Sequence, residues 1–127
     1  MIDAKELRIG NKVLKNGVFV CDVLSLRRNE IEISFEKEIY ALEYKNVHPI
    51  ALTEEILMRC GFEKIGYSNP HTTQWKLGDI LIGFCNGTIY FDYININGVK
   101  KGCCFQYLHV LQNLIHSLTG HELNVNL

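Results

Sequence analysis

The chain has 127 residues, of which 47% are hydrophobic and 21% are charged, and its 13 Lys and Arg against 14 Asp and Glu give a net charge of −1. This is an ordinary globular composition, and a near-neutral chain has no overall field to attract nucleic acid or an anionic membrane. The amino terminus lacks the apolar segment of a secretory signal, and no apolar run approaches the roughly 20 residues of a membrane span, so we expect a cytoplasmic protein.

The first fifty residues are predicted to form short strands joined by tight turns. Asp3 is placed to cap a short helical turn, and Asn16-Gly17 between apolar residues predicts a β-hairpin. Pro49 cannot donate to a ladder, which places the last of these strands at a sheet edge. The predicted strands cover residues 12–14, 18–26, 31–35, 39–44 and 47–50. Short strands at this spacing predict a small SH3-like β-barrel over residues 1–52.

A short helix is predicted over residues 54–60. Thr53 is a suitable N-cap, and two glutamates follow it in the first turn. Gly61 ends the helix in a Schellman-like cap, which lets Phe62 fold back onto Leu57.

The following residues are predicted to form an antiparallel meander. Asn86-Gly87 and Asn97-Gly98 are hairpin signals, and residues 68–73 form a polar loop. The predicted strands cover residues 63–67, 74–77, 80–85, 88–94 and 99–105.

A closing helix is predicted from Gln106 to Gly120, where the glycine suits a left-handed cap. Gln112, Asn113 and Ser117 are predicted to lie opposite its apolar stripe. The stripe consists of Tyr107, Leu108, Leu111, Leu114, Ile115 and Leu118. A helix of this length is marginal alone in water, so we expect it to pack on the strands before it. The sequence thus predicts one compact α+β unit over residues 1–127, in which an SH3-like barrel (1–52) precedes a meander covered by two helices (53–127).

The five cysteines are odd in number and form no CxxC motif, so we expect buried, reduced thiols. Cys60 lies near a helix C-terminus, whose dipole raises the pKa of a thiol. If Cys103 and Cys104 lie in a strand, one of the two side chains must face away from the protein core. No sequence context supports pairing either thiol with a histidine in a Cys–His enzyme.

The histidines do not form a recognisable metal site. His109 and His116 are seven residues apart, about 10.5 Å along a helix, so they cannot share one ion. We expect them on the helix surface, and we expect no metal or cofactor. Asp79 and Asp92 are expected to be solvated, and Gly83 and Gly87 do not precede a helix as a phosphate-binding loop would.

Nucleic-acid binding is the first alternative function. Four basic residues near the amino terminus could cluster at one end of the predicted barrel, and Lys100-Lys101 gives a second basic spot. The four are Lys12, Lys15, Arg27 and Arg28. Several nearby glutamates, from Glu30 to Glu38, reduce the field that such a patch would have.

The segment from Tyr67 to Trp75, which also contains His71, is the best candidate for a binding surface. Aromatic side chains with polar tips on a loop are typical contact residues. The alternative is that Trp75 and Tyr67 are the large core residues of the flanking strands.

Three blocks resemble those of a known group of proteins. They are Leu-Arg-Ile-Gly-Asn at 7–11, Pro-Ile-Ala-Leu-Thr-Glu-Glu at 49–55 with Gly-Phe-Glu-Lys at 61–64, and Tyr-Leu-His-Val-Leu-Gln-Asn-Leu at 107–114 with Leu-Thr-Gly at 118–120. In order and spacing they resemble a family of short uncharacterised proteins of anaerobic gut-type bacteria and their phages or mobile elements. The resemblance implies a cytoplasmic bacterial or phage-related setting, but no activity and no active-site residue.

We therefore expect a non-catalytic protein-binding or assembly module, with a protein partner or self-association favoured over nucleic acid. Several apolar or aromatic strands could leave a sheet edge available for such a contact. The other alternative is an enzyme or ligand-binding protein that uses a cleft between the two halves, with His71 and Asp79 converging there.

Overall fold

The computed structural model describes residues 2–94 and 100–127. Its internal contacts divide the chain into two compact units. Unit 1 comprises Met1–Ala51 and Tyr107–Leu123, and unit 2 comprises Leu52–Gln106 and Asn124–Leu127. Each unit contains a five-stranded antiparallel sheet and a helix, so the fold class is α+β, as predicted.

The helices and strands follow the predicted order. They are β1 (Lys12–Lys15), β2 (Phe19–Leu26), β3 (Glu30–Phe35), β4 (Glu38–Glu43), β5 (Val47–His48), α1 (Glu54–Arg59), β6 (Glu63–Asn69), β7 (Thr72–Leu77), β8 (Ile80–Cys85), β9 (Thr88–Ile94), β10 (Lys100–Phe105) and α2 (Leu108–Thr119). Two 3₁₀ helices, Ala4–Glu6 and Tyr44–Asn46, lie in unit 1.

The sheet of unit 1 is open rather than closed into the predicted barrel. Its strand order is β4-β3-β2-β1-β5, which leaves β4 and β5 as the two edges. The edge position predicted for the strand before Pro49 is confirmed. The barrel does not close because β5 has only two residues, and both pair with β1.

One face of this sheet forms the core of unit 1. Side chains alternate along β2 and β3, as expected for strands with one buried face, and the buried ones are fully or almost fully enclosed. The core contains Ile2, Leu7, Val13, Cys21, Val23, Ile31, Ile33 and Val47.

Helix α2 belongs to unit 1 and packs against β1. Gly120 follows it with φ of 74°, in the predicted left-handed cap. Leu108, Leu111 and Ile115 are buried. Helix α2 was predicted to cover the strands directly before it, but its contacts place it with the amino-terminal strands. Helical periodicity does not show which segment of the chain covers the buried face of a helix.

The sheet of unit 2 is a meander with strand order β10-β9-β8-β7-β6. Asn86 and Gly87 form the predicted two-residue turn, with φ of 48° and 82°. The polar loop predicted over residues 68–73 is instead a tight hairpin, since Asn69 pairs with Thr72. The turn predicted at Asn97-Gly98 lies outside the described residues.

Helix α1 has the predicted caps. The hydroxyl of Thr53 accepts a hydrogen bond from the N–H of Ile56 at 3.2 Å. Phe62 N–H donates to the carbonyl of Leu57 at 3.0 Å, which is the predicted return bond of a Schellman cap. Within the described ranges, neither α1, α2 nor any other helix is long and apolar enough to cross a bilayer.

Candidate functional site

Trp75 is a core residue of β7. Its side chain is 1% exposed, and its Nε1 donates to the hydroxyl of Thr73 at 2.9 Å. That hydroxyl in turn donates to the carbonyl oxygen of Phe84 at 3.3 Å. A buried indole needs such a partner, so this arrangement accounts for Trp75 without a ligand.

Tyr67 and His71 lie on the surface of unit 2. Tyr67 is 67% exposed. The ammonium of Lys64 lies over its ring, 5.0 Å from the ring centroid. His71 lies in the β6–β7 turn, where its N–H donates to Oδ1 of Asn69 at 2.9 Å. Asp79 lies in the turn at the other end of β7, roughly 20 Å of strand away. His71 and Asp79 therefore do not converge on one site.

Helix α2 carries a buried polar face that the periodicity did not predict. His109 and Gln112 are 0% and 2% exposed, whereas both were expected at the surface. Gln112 accepts from the N–H of Lys12 at 2.8 Å and donates to the carbonyl of Gly10 at 3.3 Å. Its burial depends on partners about a hundred residues away, which no local pattern shows.

The rest of this polar face binds the segment before β1. The Oδ1 of Asn113 accepts from Asn11 at 2.8 Å and from Arg8 at 3.2 Å, and Asn113 donates to the carbonyl of Glu6 at 2.7 Å. Arg8 also pairs with Glu122, which raises the pKa of the guanidinium and lowers that of the carboxylate. These bonds tie α2 to the amino-terminal segment, so we assign the cluster a structural role.

His109 is the titratable group at the centre of this cluster. Its Nε2 lies 3.2 Å from Oε2 of Glu6, while its buried Nδ1 has no hydrogen-bond partner in the part of the chain that the structure describes. Burial lowers the pKa of the imidazole, and the Glu6 carboxylate opposes that shift without reversing it. His109 therefore stays neutral in the folded protein at pH values where the same side chain is already protonated in the unfolded chain.

This shift predicts a loss of stability in mild acid. Below the pKa of about 6.5 that a histidine has in the unfolded chain, the unfolded state binds a proton at His109 that the folded state does not bind. The free energy of unfolding therefore decreases as the pH is lowered. We expect it to fall from pH 7.5 to 5.5 more steeply in the wild type than in His109→Gln. Urea unfolding at several pH values measures this difference. Parallel pH profiles for the two proteins would contradict it.

The buried thiols are poorly suited to catalysis. Burial raises the pKa of Cys21 and of Cys60 to about 11, so neither is a thiolate near neutral pH. Cys104 is exposed. Among the described residues, no three His, Cys, Asp or Glu side chains are grouped closely enough to hold a metal ion.

Two of the basic residues near the amino terminus are paired with carboxylates. Lys12 pairs with Asp22 at 2.6 Å, and Arg27 pairs with Glu32 at 2.8 Å and with Glu30 at 3.4 Å. Three of the four predicted patch residues, Lys12, Lys15 and Arg27, already contact carboxylates or aromatic rings. The carboxylates offset the charge of Lys12 and Arg27, whereas the ring contacts leave the positive charge of Lys15 in place.

The most distinctive surface of unit 1 is the outer edge of β4. A two-residue turn, Glu36–Lys37, joins β3 to β4, and its φ angles of 50° and 68° indicate a type I′ turn. Phe35 and Glu38 close the turn as a register pair, and the closing pair of such a hairpin shares two backbone hydrogen bonds. These bonded pairs alternate with non-bonded pairs along an antiparallel ladder, which fixes where each β4 residue directs its backbone.

Every second residue of β4, starting from Glu38, therefore bonds to β3. The N–H groups of Ile39, Ala41 and Glu43 and the C=O groups of Ile39 and Ala41 point away from the sheet, whereas the C=O of Glu43, the N-cap of the 3₁₀ helix Tyr44–Asn46, accepts the first hydrogen bond of that helix. No backbone hydrogen bond from another segment of the described chain reaches these outward N–H groups or the C=O groups of Ile39 and Ala41. We call these outward backbone groups of Ile39, Ala41 and Glu43 the β4 edge.

The other edges of the two sheets are less available. β5 has two residues and precedes Pro49, and β6 has two register irregularities along its pairing with β7. β10 begins with Lys100 and Lys101. Short length, bulges and lysines are the means by which proteins protect edge strands. β4 pairs with β3 over six residues without a register shift, so it is protected neither by short length nor by a bulge.

Tyr40 is held in place beneath the β4 edge. Its ring centroid lies 4.0 Å from the ammonium of Lys15, which also lies 5.5 Å from the Phe35 ring and 5.9 Å from the Phe19 ring. The Tyr40 hydroxyl donates to Glu38 at 2.8 Å, and this bond raises the pKa of the phenol. These contacts stabilise the first half of β4 in an extended conformation.

Two glutamates form a register pair at the far end of β4. Glu43 lies directly opposite Glu30 in the β3–β4 register, an arrangement that is destabilising for like charges. Lys45 lies 3.2 Å from Glu43 with both side chains well exposed, at 70% and 66%. Glu30 pairs with Arg27 at 3.4 Å, so each glutamate at this end of the edge has a basic partner.

Comparisons with known proteins gave no match, since no family model, no curated protein and no solved structure matches this chain.

Proposed function

We propose that this chain is a non-catalytic protein-binding module, in which β4 accepts an extended segment of a partner protein as an additional strand. The observation that carries the proposal is the β4 edge, where three N–H donors and the carbonyl acceptors of Ile39 and Ala41 point away from the sheet. An added strand satisfies these groups with main-chain hydrogen bonds, and alternate side chains give specificity.

The side chains around the edge support this function. Ile39 is 66% exposed on the face of β4 that does not line the core, so an added strand would cover it. Burying an exposed isoleucine contributes about 1.5–3 kcal/mol at most. Tyr40 is held by Lys15 and Glu38, which reduces the ordering that binding requires.

We also propose that unit 1 is an open variant of an SH3-like fold. The support is its strand order, in which β5 returns to β1 after the 3₁₀ helix Tyr44–Asn46. The setting that the sequence resemblance implies, the cytoplasm of gut-type anaerobic bacteria or their phages, is likewise a proposal. Neither statement fixes the function, because one fold hosts many functions.

The test selects strands that bind β4. A displayed library of random twelve-residue segments is selected on the immobilised full chain and counter-selected on Ala41→Pro. Proline removes an outward N–H without removing a donor to β3. We expect enriched segments with alternating β-branched residues, bound at least about tenfold more weakly by Ala41→Pro. Ala41→Thr, which keeps the N–H, is the matched control and should bind like the wild type.

Backbone amide shifts locate the bound segment independently of the proline variant. We expect the amides of Ile39, Ala41 and Glu43 to shift most. Segments that bind wild type and Ala41→Pro equally, or that shift amides elsewhere, would overturn the proposal. A library that yields nothing above an uncoated surface would also overturn it.

A further inference from the structure

We propose that Asn16-Gly17 is a site of spontaneous covalent modification, at which the side-chain amide of Asn16 is lost as ammonia and the imidazole of His48 serves as the base. Asn16 and Gly17 lie in the turn between β1 and β2, with φ of 53° and 75°, and both are exposed. Within the described residues, neither the Asn16 side chain nor the Gly17 N–H makes a hydrogen bond. Both reacting groups are therefore available.

The reaction joins two groups of neighbouring residues. When the Gly17 N–H loses its proton, the nitrogen attacks Cγ of Asn16, so that an N–Cγ bond forms and the Cγ–Nδ2 bond breaks with release of ammonia. Water then hydrolyses the resulting five-membered imide, which opens at either carbonyl to leave aspartate or isoaspartate. The attack is intramolecular, and glycine has no side chain to restrict the backbone rotation that it needs.

The fold places a histidine beside this turn. β5 pairs with β1, and His48 lies opposite Leu14 in that register. A methyl group on the Cα of Gly17 would lie 3.6 Å from Cδ2 and 4.0 Å from Nε2 of His48. A general base acts by direct contact or through one water molecule, and histidine is the side chain that most often does so. The imidazole of His48 thus lies where a base for the Gly17 N–H is needed.

A second Asn-Gly turn in the described chain provides an internal control. Asn86 and Gly87 have φ of 48° and 82°, close to the values at the first turn, and Asn86 is also exposed. Within 4 Å of the equivalent position on Gly87, the described residues offer only the carbonyl oxygen of Leu52, at 3.9 Å. An amide carbonyl is too weak a base to take the proton, so the same reaction is slower there.

The products change the β1–β2 turn. Both place a carboxylate in the turn where the neutral amide was, next in sequence to Lys15. Isoaspartate also adds one carbon to the main chain of the turn, across which Val18 N–H donates to the carbonyl of Lys15 at 3.1 Å. The modification therefore acts on the hairpin that carries Lys15, whose ammonium lies over the Tyr40 ring.

The test follows the full chain in isotopically labelled water at mildly alkaline pH by peptide mapping, in which the incorporated oxygen identifies sites that reacted during the incubation. In the folded wild type we expect Asn16 to convert at least about fivefold faster than Asn86, a modest effect beside the roughly 100-fold of a well-placed general base. In urea, where His48 is not held beside Gly17, the two sites should convert at similar rates. Equal rates in the folded chain, or a difference that persists in urea, would overturn the proposal.

His48→Phe tests the imidazole directly, because phenylalanine keeps a ring beside Gly17 but has no nitrogen to accept a proton. We expect the Asn16 rate to fall to about that of Asn86, and imidazole added to the buffer to raise it again, which a loss of packing alone would not allow. Asn86, measured in the same sample, reports any general unfolding of the variant. An Asn16 rate that His48→Phe leaves unchanged would overturn the assignment of His48 as the base.

Discussion

Leu111→Ala is expected to lower the free energy of unfolding by about 2–5 kcal/mol, because it removes a large side chain from a fully enclosed site. Leu111 is 0% exposed, and it lies on α2, which belongs to unit 1. Chemical denaturation measures the loss. Since α2 packs against β1, amide protection should fall more at Val13 and Cys21 than at Ile82 of unit 2.

Leu118→Ala is the matched control on the same helix. Leu118 was predicted to be part of the buried stripe, but it is 46% exposed. Its truncation should change stability by no more than about 0.5–1 kcal/mol. Equal losses in the two variants, or a loss of protection confined to unit 2, would contradict the placement of α2.

Trp75→Ala is expected to cost about 3–5 kcal/mol of stability, since it opens a large cavity in unit 2. It also removes the indole N–H that donates a hydrogen bond to the Thr73 hydroxyl. Thermal or urea unfolding followed by circular dichroism measures the change, because the variant lacks the only tryptophan of the chain.

Tyr67→Ala is the control for Trp75→Ala, because both residues belong to the segment first predicted as a binding surface. Tyr67 is 67% exposed and contacts the Lys64 ammonium, so its loss should cost less than about 1 kcal/mol. A Trp75→Ala protein as stable as Tyr67→Ala would show that Trp75 is not a core residue.

Local signals in the sequence predicted the helices and strands of this chain well. The caps of α1, the left-handed Gly120 and the Asn86-Gly87 turn all depend on residues close in sequence, and all are confirmed. The hairpin between Asn69 and Thr72 was predicted as a longer loop, because polar residues mark a turn without fixing how far pairing extends into it.

Long-range features could not be predicted in the same way. Gln112 is polar and was placed on the outer face of α2, but its partners Lys12 and Gly10 come from the other end of the chain. Barrel closure depends on whether β5 reaches β4, which the pattern of β5 alone does not show. Both outcomes depend on pairings between distant segments.

The candidate site shows the same division. The sequence predicted a strand near residues 39–44 and expected that some strand edge would be available. The two-residue turn at Glu36–Lys37 lacks the Asn or Gly that commonly marks a type I′ turn, so the register of β4 was not evident. Which of its residues face outward follows only from that register.

The most direct test of the account is amide hydrogen exchange along β4 in the free full chain. The predicted result is alternation, in which the outward amides of Ile39, Ala41 and Glu43 exchange quickly and those of Tyr40 and Leu42, bonded to β3, exchange slowly. Slow exchange at all five amides would show that β4 is already covered in solution, and it would contradict a free edge awaiting a partner strand.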